Sequence, residues 1–291
     1  MKIGLIDVDG HNFPNLAQMK ISAWHKANGD EVERCFPLYR YDRIYMSKVF
    51  TFTPDCDLAL QCDDIRKGGT GYDLDNRLPD EIEHIMPDYS LYPELTKDIA
   101  YGFLSRGCPR GCDFCIVAAK EGRASRKVAD LREWWSGQKN IKLLDPNITA
   151  CPEWEDLLGQ LADSKAKIDI TQGVDIRLLT DAKAAALMRL RLTMLHFAWD
   201  RNENLEPYFR KYAEVFAPLR SGKRLRAFVL TNYNTTREYD LHRIYTLRDL
   251  GYDPYMMIYD KQHADRELLR MQRLCNNKFI FHKVKKWEDY K

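Results

Sequence analysis

Three cysteines lie close together in the first half of the chain, at a spacing that suits metal binding. Three residues separate Cys108 from Cys112, two separate Cys112 from Cys115, and no fourth cysteine or histidine lies nearby in the sequence. Structural zinc and iron–sulfur sites are closed by four protein ligands, whereas a site with three keeps one position for water or substrate. Pro109 and the glycine on either side of it disfavour a helix and permit a tight loop. The spacing therefore favours a catalytic metal site or cluster over a structural one.

This loop resembles the signature of the radical S-adenosylmethionine (SAM) enzymes, in which three cysteines bind a 4Fe-4S cluster and SAM chelates the fourth iron. The resemblance includes Phe114, the aromatic residue before the third cysteine, and an apolar segment at 101–105 that is typical of the strand feeding the loop. It covers most of the chain. It assigns Cys108, Cys112 and Cys115 as cluster ligands and places Phe114 among the cofactor-binding residues.

The resemblance implies a radical SAM enzyme whose cluster reductively cleaves SAM to a 5′-deoxyadenosyl radical, which abstracts hydrogen from a substrate that the sequence does not identify. A reductant such as a flavodoxin or a ferredoxin is the implied partner. Because the cofactor supplies the difficult chemistry, we nominate no catalytic acid or base. The alternative from another class is a non-catalytic zinc or Fe-S binding module, with a distant ligand such as Cys151 completing a zinc site.

Composition limits the partners and the compartment. The chain has 291 residues, with 45 Lys plus Arg against 43 Asp plus Glu, so the net charge of +2 gives no case for nucleic-acid or membrane partners. An acidic residue at position 7 comes too early for a signal peptide, and no apolar run approaches the ~18 residues of a membrane span. The 8 scattered cysteines suit a reducing compartment. We therefore expect a cytoplasmic protein.

The first hundred residues carry the pattern of a small open α/β layer. Because apolar runs and turn residues alternate along this part of the chain, we expect a Rossmann-like domain over residues 1–97, which includes a linker at 88–93. Its predicted elements are strands at 3–8, 32–36, 43–50 and 58–62, a helix at 14–28, and a turn-rich stretch at 68–71.

From residue 98 onward, apolar strand segments alternate regularly with amphipathic helices, which predicts a parallel sheet with helical crossovers. We expect a (β/α)6 partial TIM barrel over 98–264, with the cysteine loop after its first strand, and a helix and basic tail at 265–291. The basic stretch of that tail is expected simply to be solvated. The predicted strands are 100–105, 141–145, 168–172, 194–199, 225–231 and 254–259, and the helices include 154–162, 181–188, 205–216 and 239–250.

Polar residues follow several of these predicted strands. Ligands of open parallel sheets bind at the carboxyl ends of the strands, and the resemblance implies that SAM lies across them. A guanidinium such as Arg177 suits the SAM carboxylate through its bidentate fork, and Asp200 suits ribose hydroxyls. The alternative is that polar residues terminate strands because turns favour them. The candidate SAM-binding residues are Asp145, Asn147, Gln172, Asp175, Arg177, Asp200 and Asn232.

The N-terminal region also resembles a shortened cobalamin-binding domain. The lower-axial motif of that domain is Asp-x-His-x-x-Gly; here Asp9 and His11 match it, but Pro14 stands where glycine is expected. A carboxylate that orients an imidazole is sound chemistry for a metal. The proline in place of the motif's glycine nevertheless favours a domain that binds no cobalamin. A cobalamin-dependent radical SAM methyltransferase is the second hypothesis.

Three further cysteines, Cys35, Cys56 and Cys62, raise the hypothesis of a second cluster, because methylthiotransferases of the same superfamily bind one through three N-terminal cysteines. Their spacing is poor for that purpose. A small buried thiol is the commoner role of a cysteine in a strand, so we expect packing here, as for Cys151 and Cys275.

Overall fold

The computed structural model describes residues 1–10, 12–201, 203–222, 224–284 and 286–290. The protein is an α/β protein with parallel sheets, as the alternation of strands and helices predicted. It divides into two compact units, Met1–Lys142 and Leu143–Lys291. The domain limits at 97 and 264 stay predictions from the sequence. In the described part of the chain no helix is long and apolar enough to cross a membrane.

The strands and helices follow in chain order. The strands are β1 (Lys2–Asp7), β2 (Glu31–Arg34), β3 (Arg43–Ser47), β4 (Ile65–Gly68), β5 (Ile99–Gly102), β6 (Ser105–Arg106), β7 (Arg126–Lys127), β8 (Asn140–Leu143), β9 (Lys167–Ile170), β10 (Arg191–Ala198), β11 (Leu225–Thr231) and β12 (Asp253–Ile258). The helices are α1 (Leu16–Ala27), α2 (Asp80–Glu83), α3 (Pro93–Thr96), α4 (Val117–Glu121), α5 (Trp154–Asp163), α6 (Asp181–Met188), α7 (Glu206–Ala213), α8 (Ala217–Arg220), α9 (Arg237–Asp249), α10 (Arg266–Asn276) and α11 (Lys278–Lys283).

The first unit contains a parallel sheet in the order β2-β1-β3-β4. Ile3 and Leu5 of β1 are buried and pack with Ile21 of α1 in one apolar cluster. Helix α1 begins where the Asn15 side chain accepts a hydrogen bond from Gln18 N at 3.2 Å, as an N-cap residue does. The first three predicted strands and the first predicted helix are thus confirmed to within a few residues.

The strand predicted at 58–62 is wrong. That segment makes only an isolated bridge between Arg40 and Gln61, and Leu58 is half exposed. The fourth strand is instead β4. Its residues do not alternate between buried and exposed positions, because most of them are exposed at the edge of the sheet. Pairing with β3 defines it, since Lys48 N donates to Gly68 O at 3.0 Å. An edge strand with a polar sequence carries no apolar signal for a sequence pattern to detect.

The strand predicted at 100–105 is shorter than expected and breaks after Gly102. The indole of Trp134 lies against Gly102, where an added Cβ would collide with the ring, and Trp134 Nε1 donates to Phe103 O at 3.1 Å. The chain then continues as the two-residue strand β6, which pairs with β7 in an antiparallel ladder. A tertiary contact from a residue thirty positions away therefore ends this strand.

The larger sheet has six strands in the order β12-β11-β10-β9-β8-β5. The pairs β9/β10, β10/β11 and β11/β12 are parallel, and helices α5 to α9 connect successive strands from β8 to β12. These strands agree with the sequence prediction to within three residues at each end. The helix predicted at 205–216 corresponds to α7 and ends earlier than expected, at Ala213. The separate short helix α8 follows beyond the predicted range, with Pro218 in its first turn.

The second unit is anchored by aromatic side chains on one face of this sheet. Phe197 of β10 contacts Phe209 and Phe216, with ring centroids 6.1 and 5.5 Å away, and Tyr252 completes the cluster. All four side chains are buried. Their burial packs the crossover helices against the strands.

Candidate functional site

The cysteine loop lies between β6 and β7, and its backbone depends on glycine. Gly107 and Gly111 have φ angles of +91° and +52°, a region that residues with a side chain rarely adopt. A Cβ on Gly107 would collide with the carbonyl oxygen of Ala124, and one on Gly111 would lie 3.0 Å from the guanidinium of Arg123. The two glycines therefore let the loop lie against its own return segment.

Backbone hydrogen bonds close the loop. Cys108 N donates to Gly122 O at 3.2 Å, and Cys115 N donates to Cys112 O at 2.9 Å, which turns the chain between the second and third cysteines. The short helix α4 follows directly. The loop and α4 thus form one excursion between the paired strands β6 and β7.

The cysteines of the loop are at least partly exposed to solvent. Cys108 and Cys112 are half-buried, Cys115 is exposed and Phe114 between them is half-buried. No disulfide joins any of the eight cysteines, all of which lie in the described part of the chain. Across the described residues, no three His, Cys, Asp or Glu side chains converge as a metal ion requires. The donor set of three soft thiolates suits a cluster, but its side chains do not form a preassembled site.

Cationic side chains surround the loop. Arg106 pairs with Glu121 at 2.7 Å and stacks on the Phe103 ring, 3.9 Å from its centroid. Lys120 donates to Asn76 O at 2.9 Å, and burial together with neighbouring arginines lowers its pKa. Both side chains are thus engaged by protein groups next to the loop.

The first three candidate residues of the second unit differ in how far they are buried. Asp145 and Asn147, which follow β8, are almost completely buried, and the Asn147 amide oxygen accepts the hydroxyl of Thr149 at 3.1 Å. Gln172, which follows β9, is exposed. The adjacent Gly173 has a φ of +101°, which lets the backbone pass close to β10.

Asp175 and Arg177 form a bidentate ion pair. Arg177 Nε and Nη2 donate to the two Asp175 oxygens at 2.7 and 3.1 Å, and Arg177 Nη1 donates to Glu203 at 2.5 Å. The Asp175 carboxylate also accepts Arg177 N at 3.1 Å, which begins a short 3-10 helix. Three of the five guanidinium N–H groups are thus engaged by protein carboxylates.

Asp200 follows β10 and is tied to the neighbouring strand, because Leu230 N donates to its carboxylate at 3.0 Å. Burial raises the pKa of Asp200 to about 6, although this hydrogen bond and the charges of Arg243 and Arg177 act in the opposite direction. A carboxyl group with such a pKa changes charge within the physiological range.

Asn232 follows β11 with a left-handed backbone, φ +63°, and is exposed. Its backbone N–H donates to Asp240 at 3.4 Å, and its side-chain amide donates to Tyr259 O at 3.2 Å. Asp240 is buried and pairs with Arg243, which also donates to the carbonyls of Trp199 and, at 2.8 Å, Leu230.

Sequence reasoning missed Glu203, Asp240 and Arg243. Arg243 is completely buried on α9, yet in the sequence it is one arginine in a helix that carries charges on every side. No motif marks these three residues. Their importance follows from contacts between separate elements, which bind the ends of β10 and β11 together.

The motif that resembles a cobalamin site is only partly described, because His11 lies outside the described residues. Asp9 accepts hydrogen bonds from the backbone N–H of Val49 and Phe50 and, at 2.7 Å, from the Thr53 hydroxyl. This carboxylate anchors the loop after β3. None of these contacts specifically favours a corrin ligand.

The three N-terminal cysteines are half-buried, and none of them lies inside a strand. Burial raises the pKa of Cys35 to about 11, and Cys56 and Cys62 contribute further, so the thiols lie within electrostatic range of one another. They do not form a group that could hold a metal. Cys151 and Cys275 are buried, in agreement with the packing role expected of them.

No protein-family model matches the chain. A comparison with curated proteins likewise finds no similar sequence.

Proposed function

We propose that this protein is a radical SAM enzyme that acts on a substrate still to be identified. The observation that carries the proposal is the C-x3-C-x2-C loop, which follows the first strand of a six-stranded parallel sheet. The left-handed glycines at 107 and 111 support it, because they provide the compact loop that three ligands on neighbouring turns require.

Cys108, Cys112 and Cys115 would hold a 4Fe-4S cluster through their thiolates, and the fourth iron would be left for SAM. When bound, the cluster supplies the electron for cleavage of SAM to methionine and the 5′-deoxyadenosyl radical that takes hydrogen from substrate. The loop holds the thiol-bearing backbone through its left-handed glycines and its backbone hydrogen bonds. Because metal binding and the ordering of its ligands are coupled, the thiols are expected to converge upon cluster assembly.

The polar residues at the strand ends of the second unit are proposed to contact SAM. Arg177 is held in one orientation by Asp175 and Glu203, and its two remaining N–H groups suit the amino-acid carboxylate. Asp200 suits hydroxyl groups of the ribose. Asp145, Asn147, Gln172 and Asn232 are proposed as further contacts of the same cofactor.

The finer architecture belongs to the same proposal. The order of strands and crossover helices supports a (β/α)6 partial TIM barrel, and the β2-β1-β3-β4 sheet supports a Rossmann-like N-terminal domain. A flavodoxin or ferredoxin is the proposed reductant, and the cytoplasm the proposed compartment.

Anaerobic purification and iron–sulfide reconstitution provide the test. The reconstituted protein should hold about four irons per chain and, with dithionite and SAM, should form 5′-deoxyadenosine. Replacement Cys112→Ala should abolish both results. Cys56→Ala, which removes a half-buried thiol outside the loop, serves as the matched control and should leave both unchanged. One zinc per chain without iron-dependent SAM cleavage would instead identify a metal-stabilised binding module.

A further inference from the structure

One face of helix α10, near the end of the chain, carries a row of arginines. Arg266, Arg270 and Arg273 are spaced by four and three residues, which places them along the same side of the helix over about 10 Å. The opposite side is buried, as for Leu268 and Met271. The arginine row is therefore the outward face of a helix that is firmly docked on its other side.

This row lines a groove of about 290 Å³, together with Leu269 and Tyr290. Arg270 Nη2 donates to the carbonyl of Tyr290 at 2.9 Å. The Arg270 guanidinium also lies 5.4 Å from the Trp287 ring centroid and 5.9 Å from that of Tyr290. The groove thus combines guanidinium groups with the ring of Tyr290, and the ring of Trp287 lies beside Arg270.

In the described part of the chain, the arginines of the groove have no acidic partner. Among the described residues no carboxylate forms an ion pair with Arg266, Arg270 or Arg273. The nearest acidic residues in the sequence, Asp265 and Glu267, both pair with Arg237 of α9 instead. Like charges four residues apart on a helix repel each other, so the arrangement favours an external anion.

We infer that this groove binds the phosphodiester backbone of a single-stranded nucleic acid. Guanidinium groups match the geometry of phosphate oxygens, and a row of them can follow successive phosphates along a strand. The Tyr290 ring in the groove and the half-buried Trp287 ring beside Arg270 are aromatic groups on which bases can stack, as in other cationic grooves that bind single strands. The overall charge of +2 conceals this local feature. The inference does not depend on the cysteine loop or on SAM chemistry.

The test is fluorescence anisotropy of a labelled twelve-nucleotide oligouridylate, titrated with the reconstituted protein at several salt concentrations. Contact with three phosphates on a single strand predicts a slope of log K against log [salt] of about −2. The double variant Arg266→Ser/Arg273→Ser should bind at least tenfold more weakly at low salt, with a slope of about −1 or less in magnitude.

The matched control is Arg189→Ser/Arg210→Ser, which removes the same charge from exposed positions elsewhere in the second unit. It should bind as the unaltered protein does, and circular dichroism should show that both double variants are folded. Equal binding by the two double variants, or absence of binding at low salt, would overturn the inference. So would binding to anionic phospholipid vesicles through the same arginines without binding to the oligonucleotide. None of these outcomes bears on SAM cleavage, so the two proposals can fail independently.

Discussion

The cysteine loop and the strand ends of the second unit are built in opposite ways. At the strand ends, side chains are fixed by hydrogen bonds to other protein groups. Arg177 pairs with two carboxylates, and Arg243 donates to backbone carbonyls at the ends of β10 and β11. In the loop, glycine torsions and backbone hydrogen bonds define the path of the chain, while the cysteines remain at least partly exposed to solvent.

The difference reflects the ligand chemistry of each region. A buried charge is costly without a partner, so polar groups inside the second unit must satisfy one another before any ligand arrives. Thiols carry no such requirement, and three thiolates brought together without a metal would repel each other. The protein can therefore preorganise the strand-end residues, whereas the metal itself must complete a cysteine site.

The most severe test of this contrast is removal of Arg243. Arg243→Ala leaves Asp240 buried without its partner, so we expect a loss of about 3–5 kcal/mol in the free energy of unfolding. Urea denaturation followed by circular dichroism measures the change. Arg210→Ala is the control, because its exposed pair with Glu206 should contribute less than about 1 kcal/mol. Equal losses in the two variants would mean that the strand ends are not held by Arg243.

The loop can be tested with two glycines that have the same backbone torsion. Gly107 and Gly122 both have φ +91°, but only at Gly107 would a Cβ collide with Ala124. Gly122→Ala should cost about 1–3 kcal/mol through backbone strain alone. Gly107→Ala should add about 1–3 kcal/mol through steric overlap and should also reduce the iron bound after reconstitution.

Thermal melting and iron analysis of the two variants give the comparison. If Gly107→Ala and Gly122→Ala behaved alike in both measurements, the close approach of Gly107 to the return segment would have no role in shaping the loop.

The mildest effect concerns Asp200. Its folded-state pKa of about 6 lies above the ordinary value of 3.8, so the folded protein binds the proton more tightly than the unfolded chain does. Stability from this group is therefore lost as pH rises from about 4 to 6, and the penalty persists above pH 6. Asp200→Asn should remove that penalty and stabilise the protein by about 1–3 kcal/mol at pH 7.5, with a smaller change at pH 4.

Melting temperatures of the two proteins from pH 4 to 8 measure this effect. The curves should converge near pH 4, separate progressively up to about pH 6 and stay separated by a constant amount above it. A constant separation over the whole range from pH 4 to 8 would show that the Asp200 carboxyl does not titrate in this range.

Most of the second unit's elements could be predicted from the sequence. Helix α6 and strand β11 were predicted at the limits observed, because an amphipathic or continuous apolar pattern reports burial directly. The proline and glycines of the cysteine loop predicted a tight turn, although the return segment at Gly122 and Ala124 also shapes it. In both cases the residues that form the sequence pattern lie within the element that the pattern predicts.

The tertiary structure decided what depends on contacts between distant residues. Edge strand β4 is defined by pairing with β3, and β5 ends because Trp134 packs on Gly102. Arg177 pairs with Glu203, which lies twenty-six residues away in the sequence, and Arg243 donates to the carbonyl of Trp199, forty-four residues away. A sequence pattern reports which residues are apolar and where the chain turns, but not which buried charge meets which partner, because that choice is made by packing.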